Sequence, residues 1–66
     1  MDLYLVRTFL EIMRQGSFVA AAKNLNISQT AVTARIRNLE ELLDCKLFIR
    51  SRAGIQLTTE GRIFAS

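Results

Sequence analysis

The amino-acid sequence predicts a small, mostly α-helical domain that carries one short β-hairpin. With 66 residues, 50% of them hydrophobic, the chain suits a single domain with a modest core. Apolar residues recur at helical spacing in three successive segments before Asp44. After Asp44 the pattern changes to two short, β-prone stretches around a glycine, which is typical of a hairpin.

The first predicted helix begins near Asp2 and ends at Gly16. An acidic group suits the positive end of a helix dipole, and glycine often follows the last turn of a helix. One apolar series has the spacing i, i+3, i+4, i+7, and we expect it to form the buried face: Val6, Phe9, Leu10 and Met13. The charged residues of this segment are expected on a solvated face: Arg7, Glu11 and Arg14.

The second and third helices are each predicted to follow a serine N-cap. Ser17 precedes a short, alanine-rich segment whose apolar face is Phe18, Ala21, Ala22 and Leu25. Ser28 precedes a longer helix from about Gln29 to Leu43, with a narrow apolar stripe: Val32, Ile36, Leu39 and Leu43.

The hairpin is predicted from the segments 47–49 and 55–57, joined by a turn over 51–54. Thr58 is then a candidate N-cap for a fourth helix that runs from Thr59 toward Ser66. A helix this short is not stable alone in water and must pack on the rest of the domain. A short helix, a tight turn, a longer helix and a trailing hairpin together make a winged helix-turn-helix.

Composition excludes several classes of function. The chain has no histidine and one cysteine, so neither a Cys/His zinc site nor a histidine-based catalytic triad can be assembled. A single cysteine forms no internal disulfide, which favours a reducing, cytoplasmic compartment. Cys45 is expected to pack as a small hydrophobe, with redox sensing as the alternative. No apolar run approaches the length of a membrane span. We therefore expect no cofactor, no metal, no membrane association and no catalysis.

The outward face of the third helix is the best candidate for function. Opposite the apolar stripe lie small, polar and basic residues: Gln29, Thr30, Thr33, Ala34 and Arg37. In the major groove of DNA, glutamine can pair with adenine, threonine can contact thymine, and arginine can bind guanine or phosphate. A helix face that is merely solvated more often carries glutamate and lysine pairs. The alternative for Arg37 is an ion pair with Glu40 or Glu41, about one turn along.

Positive charge is concentrated in two segments. Residues 28–37 and 46–62 together hold six basic residues and one acidic residue, or +5, whereas the whole chain has a net charge of +3. The rest of the chain is therefore at −2, and this segregation is typical of a nucleic-acid binder. Two other functions stay open on these observations alone. One is a winged-helix module that binds an acidic protein, and the other is the winged-helix appendage of an enzyme.

A set of residues spread over nearly the whole chain resembles the DNA-binding domain of LysR-type transcriptional regulators. No gap is needed to match this set: Gly16-Ser17-Phe18, Ala21-Ala22, Leu25, Ser28-Gln29, Ala31-Val32, Ile36-Arg37, Leu39-Glu40, Leu47-Phe48, Arg50, Leu57-Thr58 and Gly61. The resemblance implies a bacterial, cytoplasmic regulator that binds double-stranded promoter DNA. It also implies a linker helix that pairs two subunits into a homodimer, and a C-terminal effector-binding domain beyond this chain.

The resemblance assigns roles to individual residues and boundaries to the domain. It implies that Gln29, Thr30, Thr33 and Arg37 read the major groove, and that Arg50 and Arg52 on the wing approach the flanking backbone or minor groove. The full candidate DNA-binding set is Ser17, Ser28, Gln29, Thr30, Thr33, Arg35, Arg37, Arg50 and Arg52. Residues 1–58 would form the winged helix-turn-helix, and residues 59–66 the start of the linker helix. The chain departs from the family pattern at Ala20, Thr30, Thr33, Ala34 and Arg35, which bears on base preference, and at Asp44, which bears on the helix cap.

Overall fold

The computed structural model describes residues 2–51 and 54–66. Four helices and one hairpin follow in the order that the sequence predicts: α1 (Leu3–Gln15), α2 (Phe18–Leu25), α3 (Gln29–Leu43), β1 (Phe48–Ser51), β2 (Gly54–Leu57) and α4 (Thr59–Ala65). The two strands form an antiparallel sheet in which Phe48 pairs with Leu57 and Arg50 pairs with Ile55. This is a winged helix-turn-helix, and the predicted fold class is confirmed.

Side-chain caps define where the helices begin. Oxygens of Asp2, Ser17, Ser28 and Thr58 each accept a hydrogen bond from a backbone N–H in the first turn, at 2.8, 3.2, 3.0 and 2.9 Å. These bonds satisfy donors that have no partner inside the helix. The three predicted N-caps, Ser17, Ser28 and Thr58, are therefore confirmed, and Asp2 caps α1 near its predicted start. Left-handed residues end the first three helices: Gly16, Asn26 and Asp44.

The core lies where α1, α2, α3 and the base of the hairpin meet. Its stripe on α3 is the predicted one, since Val32, Ile36 and Leu39 are buried and Leu43 is half-buried. Phenylalanine rings join the elements. The Phe9 ring lies 5.2 Å from the Phe48 ring and 5.2 Å from the Phe64 ring, and the Phe18 ring lies 5.7 Å from the Phe48 ring. These ring contacts connect the wing and α4 to the three-helix core.

The predicted buried face of α1 is wrong, apart from Phe9. The helix turns a different set of residues inward: Leu5, Thr8, Phe9, Glu11 and Ile12. Val6 is half-buried, and Leu10 and Met13 are 52% and 39% exposed. Apolar residues form a wide arc on this helix, from Ile12 round to Leu3, so the i, i+3, i+4 pattern fits two overlapping faces. Packing against α2 and α3 selects the one that contains Ile12.

Glu11 is not the solvated residue that the sequence predicts. Its carboxylate accepts hydrogen bonds from the side-chain amides of Gln15, at 2.9 Å, and of Asn24 on α2, and only 8% of the residue is exposed. The hydrogen bond from Gln15, followed by that from Asn24 and the positive charges of Arg14 and Arg7, lowers the pKa of this carboxyl despite the opposing effect of burial. Glu11 thus joins the first two helices through hydrogen bonds to its ionised form.

The first strand begins one residue later than predicted because Leu47 belongs to the loop before it. The Leu47 side chain is fully buried. Its N–H donates to the Glu40 carboxylate at 2.8 Å, and its carbonyl accepts from the Thr58 N–H at 3.0 Å. The second strand begins at Gly54, and Arg52 and Ala53 of the predicted turn lie outside the described residues.

The start of α4 is fixed to this same loop. The Thr58 hydroxyl donates to the carbonyl of Lys46 while it accepts the N–H of Gly61. Gly61 is buried, and a Cβ there would collide with the backbone carbonyl of Leu47. Only glycine permits so close an approach of the helix to the loop. Across residues 2–51 and 54–66, the structure contains no helix long and apolar enough to cross a membrane.

Candidate nucleic-acid interface

The outer face of α3 presents the predicted cluster of small, polar and basic side chains. Burial of the apolar stripe turns the opposite side of the helix to solvent, where Gln29, Thr30, Ala34 and Arg37 are exposed and Thr33 is half-buried. All five line one shallow depression of about 290 Å³. The structure therefore brings together four of the predicted DNA-binding residues, with Ala34 between them.

Arg37 is available on this face. Within the described residues, 2–51 and 54–66, there is one ion pair. It joins Lys46 Nζ to the Glu40 carboxylate, at 3.9 Å. The alternative in which Arg37 pairs with Glu40 or Glu41 is therefore not found in the described part of the chain. Glu40 is occupied instead by Lys46 and by the Leu47 N–H.

Ser17 and Ser28 lie at the starts of α2 and α3. Both hydroxyls act as N-caps, and Ser28 is exposed while Ser17 is half-buried. The first backbone N–H groups of a helix have no partner within it and, with the helix dipole, favour a bound anion. The two serines thus lie at helix ends that are chemically suited to a phosphate group.

Arg35 is placed apart from the cluster on the outer face. Its guanidinium carbon lies 5.6 Å from the centroid of the Tyr4 ring, and its Nη1 donates to the Thr8 hydroxyl at 3.4 Å. The Thr8 hydroxyl in turn donates to the Tyr4 carbonyl at 2.7 Å. These contacts direct Arg35 toward α1, so the structure does not bring it together with Gln29, Thr30, Thr33 and Arg37.

A second groove separates α3 from the wing. It has a volume of about 400 Å³ and an apolar floor that includes Phe18, Ile36 and Phe48. Three basic side chains line it from different elements: Arg37 on α3, Lys46 on the loop and Arg50 on β1. We name this surface, from Arg37 to Arg50, the wing groove. Arg52, the other predicted wing residue, lies outside the described residues.

Arg50 is held against an aromatic ring. Its guanidinium carbon lies 3.9 Å from the centroid of the Phe18 ring, well within the range of a cation–π contact. The sequence indicates Phe18 only as a core residue and does not single out Lys46. No local pattern reveals either role, because both depend on how the hairpin folds back toward α2 and α3.

Comparison with known proteins places this chain and its fold in a family. Residues 3–62 match the profile of the family described as bacterial regulatory helix-turn-helix protein, lysR family. The chain belongs to the LysR family. The resemblance that the sequence motifs predict, from Gly16 to Gly61, is thereby confirmed. The LysR family is one of transcriptional regulators, which is not a class of enzymes.

Relatives of the LysR-family chain include proteins of known structure. It is 51% identical over 61 residues to the HTH-type transcriptional regulator AbaB of Streptomyces antibioticus. The matched region covers 92% of this chain and 20% of AbaB. It is 36% identical to the protein in the crystal structure of the BenM DBD with catB site 1 DNA, with a TM-score of 0.90 over 97% of this chain and 72% of that one. The CbnR DBD–DNA complex gives 36% identity and a TM-score of 0.89, over 97% and 74% of the two chains. The chain spans about a fifth of the length of the curated relatives that it matches.

Proposed function

We propose that this domain binds double-stranded DNA in a sequence-specific manner within a bacterial transcriptional regulator. The observation that carries the proposal is the outer face of α3, where Gln29, Thr30, Thr33 and Arg37 line one depression together with Ala34. An α-helix fits the major groove, where base pairs differ in their pattern of donors and acceptors. The solved complexes of the BenM and CbnR domains with DNA support the same function for this related chain.

Each residue of the outer face has a proposed role in reading bases. Gln29, in the first turn of α3, is suited to a bidentate contact with adenine. Thr30 and Thr33 offer a hydroxyl and a methyl group, which suits thymine. Arg37, farther along the helix, is suited to guanine or to a phosphate. Ala34 has a small side chain, which leaves room between them for the base edges in the major groove of DNA.

The remaining candidates are proposed to hold the DNA backbone. In this proposal Ser17 and Ser28 bring the starts of α2 and α3 to phosphates. Arg50 and Arg52 contact phosphates through their side chains, from the wing. Arg35, directed toward α1, is proposed to contact the backbone at the edge of the interface rather than a base. Such contacts fix the register of a protein on DNA and carry little sequence information themselves.

The longer protein is proposed to be a cytoplasmic homodimer. In this proposal residues 1–58 form the DNA-binding domain, and the helix that begins at Thr59 is the start of a linker helix that pairs two subunits. Two copies of α3 would then read half-sites about one helical turn of DNA apart. Sedimentation tests the pairing. The 66-residue chain should be monomeric or weakly associated at micromolar concentration, whereas a chain with about 20 further residues, roughly 30 Å of helix, should dimerise tightly. A tight dimer of the shorter chain would place the interface elsewhere.

A selection experiment tests the DNA-binding proposal. The domain is used to select sites from a random duplex pool, and Kd is then measured on the selected and scrambled duplexes between about 50 and 200 mM salt. We expect tighter binding to the selected duplex and a steep loss of affinity with salt on both. Equal affinity for the two duplexes, or no dependence on salt, would favour the alternative of a protein-interaction module.

A matched pair of variants separates the interface from net charge. Arg37→Ala and Arg14→Ala remove the same charge from exposed positions, one on the outer face of α3 and one at the end of α1. Arg37→Ala should weaken binding to the selected duplex clearly more than Arg14→Ala does. Equal effects would mean that only the total charge of the domain matters.

A further inference from the structure

The ring of Phe18 contacts one aromatic and one basic neighbour. Toward the core it meets the Phe48 ring nearly edge-on, at 75° and 5.7 Å between centroids. Toward solvent it is covered by the Arg50 guanidinium, at 3.9 Å, and only 6% of Phe18 remains exposed. Phe18 is the first residue of α2, and Arg50 is the third residue of β1. The contact therefore connects the start of the helix-turn-helix to the wing.

Without this contact Arg50 would be a mobile side chain. It is exposed, it extends from a two-stranded hairpin, and arginine has one of the largest side-chain entropies to lose on binding. A guanidinium stacked on a ring has fewer orientations, so less freedom is lost when it contacts a ligand. The ring itself is held in place because Phe18 is a buried member of the core.

Within residues 2–51 and 54–66, no carboxylate is paired with Arg50, so its guanidinium can bind an anion. The charged groups that line the wing groove with it are Arg37, Lys46 and Glu40. Glu40 is the acidic member, and its carboxylate is already bonded to the Leu47 N–H and paired with Lys46. In the described part of the chain Arg50 has no ion pair, so the stack on Phe18 is not part of a neutral charge pair.

We propose that Phe18 is a positioning residue for DNA binding, which acts by holding the Arg50 guanidinium toward a backbone phosphate beside the wing groove. This inference rests on the proposed function and adds to it a residue that is buried and contacts no DNA itself. It predicts that a positive charge at position 50 is not sufficient for full affinity for DNA. A lysine there keeps the charge but has no planar group to stack on the ring.

A double-mutant cycle with scrambled duplex DNA tests the coupling. Phe18→Leu should raise Kd about two- to five-fold, the factor expected from a cation–π contact at an exposed site. In the Arg50→Ala background the same substitution should change Kd by less than about 1.5-fold, because the group that Phe18 positions is gone. Phe48→Leu is the matched control, since Phe48 packs against Phe18 and the core but the Arg50 guanidinium stacks on Phe18. Its effect should be the same in both backgrounds.

Arg50→Lys is a second test that leaves the core intact. It should weaken binding by about two- to five-fold with little change in the salt slope, because the charge is retained. Thermal unfolding of each variant establishes that it is folded at the assay temperature. The proposal is overturned if Arg50→Lys binds as tightly as the wild type, or if Phe18→Leu has the same effect with and without Arg50. If the wild-type domain itself binds no duplex, the proposed function fails instead.

Discussion

Helices α1 and α3 both bury one face in the same core, but their outer faces are chemically different. On α1 the outward side mixes large apolar residues, Leu3 and Leu10 at 81% and 52% exposed, with the basic residues Arg7 and Arg14. On α3 it is polar and basic, from Gln29 to Arg37. Both buried faces are determined by the core: that of α3 by apolar packing, and that of α1 by packing together with the hydrogen bonds of Thr8 and Glu11. The outer face of α3 has no packing role, so its composition carries the information about function.

The largest effects should come from the buried faces. Ile36→Ala on α3 and Ile12→Ala on α1 each remove most of a buried side chain, which typically costs about 2–5 kcal/mol. Because so small a domain has little more stability than that, both variants should lose cooperative thermal unfolding. Leu10→Ala, on the exposed side of α1, should cost less than about 1 kcal/mol. If Leu10→Ala destabilised the domain as much as Ile12→Ala, α1 would have to face the core with the side that contains Leu10.

An intermediate effect should come from the outer face of α3. Gln29→Ala should reduce the preference for the selected over the scrambled duplex by about 1–3 kcal/mol, with the salt slope nearly unchanged, since a base contact is lost. Arg50→Ala should instead weaken binding to both duplexes and reduce the slope by roughly one unit, since a phosphate contact is lost. Kd values for both variants on both duplexes, across a salt series, make this comparison. A change in slope alone for Gln29→Ala would contradict its role in reading bases.

The smallest effect should come from Glu11, the charged residue on the buried side of α1. Its pKa is lowered from 4.5 in the folded state, so the ionised carboxylate stabilises the fold above that pH. This contribution is lost as the pH falls through the lowered pKa. Urea midpoints measured from neutral pH to about pH 3 should therefore fall more for the wild type than for Glu11→Gln. Asn24→Ala, which removes one donor to the carboxylate, should reduce the same acid dependence. Identical curves for all three proteins would mean that Glu11 is not stabilised by these hydrogen bonds.

The elements of this fold could be predicted from sequence where local chemistry determines them. Ser17, Ser28 and Thr58 mark helix starts because a capping hydroxyl bonds to a backbone group two or three residues along. The stripe on α3 was also predictable, because its polar residues leave one apolar face. On α1 the apolar arc is wider than the face that packs in the core. The orientation of α1 therefore depends on neighbours that only the folded chain provides.

Within the interface, the base-reading candidates could be predicted and their supports could not. Gln29, Thr30, Thr33 and Arg37 share a face through helical spacing alone. The stack of Arg50 on Phe18, and the turn of Arg35 toward Tyr4, join elements that are distant in sequence. No periodicity encodes such contacts, because they depend on the angle at which the hairpin and α1 meet α2 and α3.

The junction at Gly61 has a mechanical consequence. Thr58 and Gly61 clamp the first turn of α4 to the loop before the wing, so the direction in which this helix leaves the domain is fixed at its base. A helix is a stiff rod, and its far end amplifies any change of angle at its anchor. Over about 20 residues, or roughly 30 Å, a tilt of about 10° would displace the tip by about 5 Å. In the proposed dimer, Thr58 and Gly61 would thus help to determine the distance between the two copies of α3, although neither residue lies on the outer face of α3.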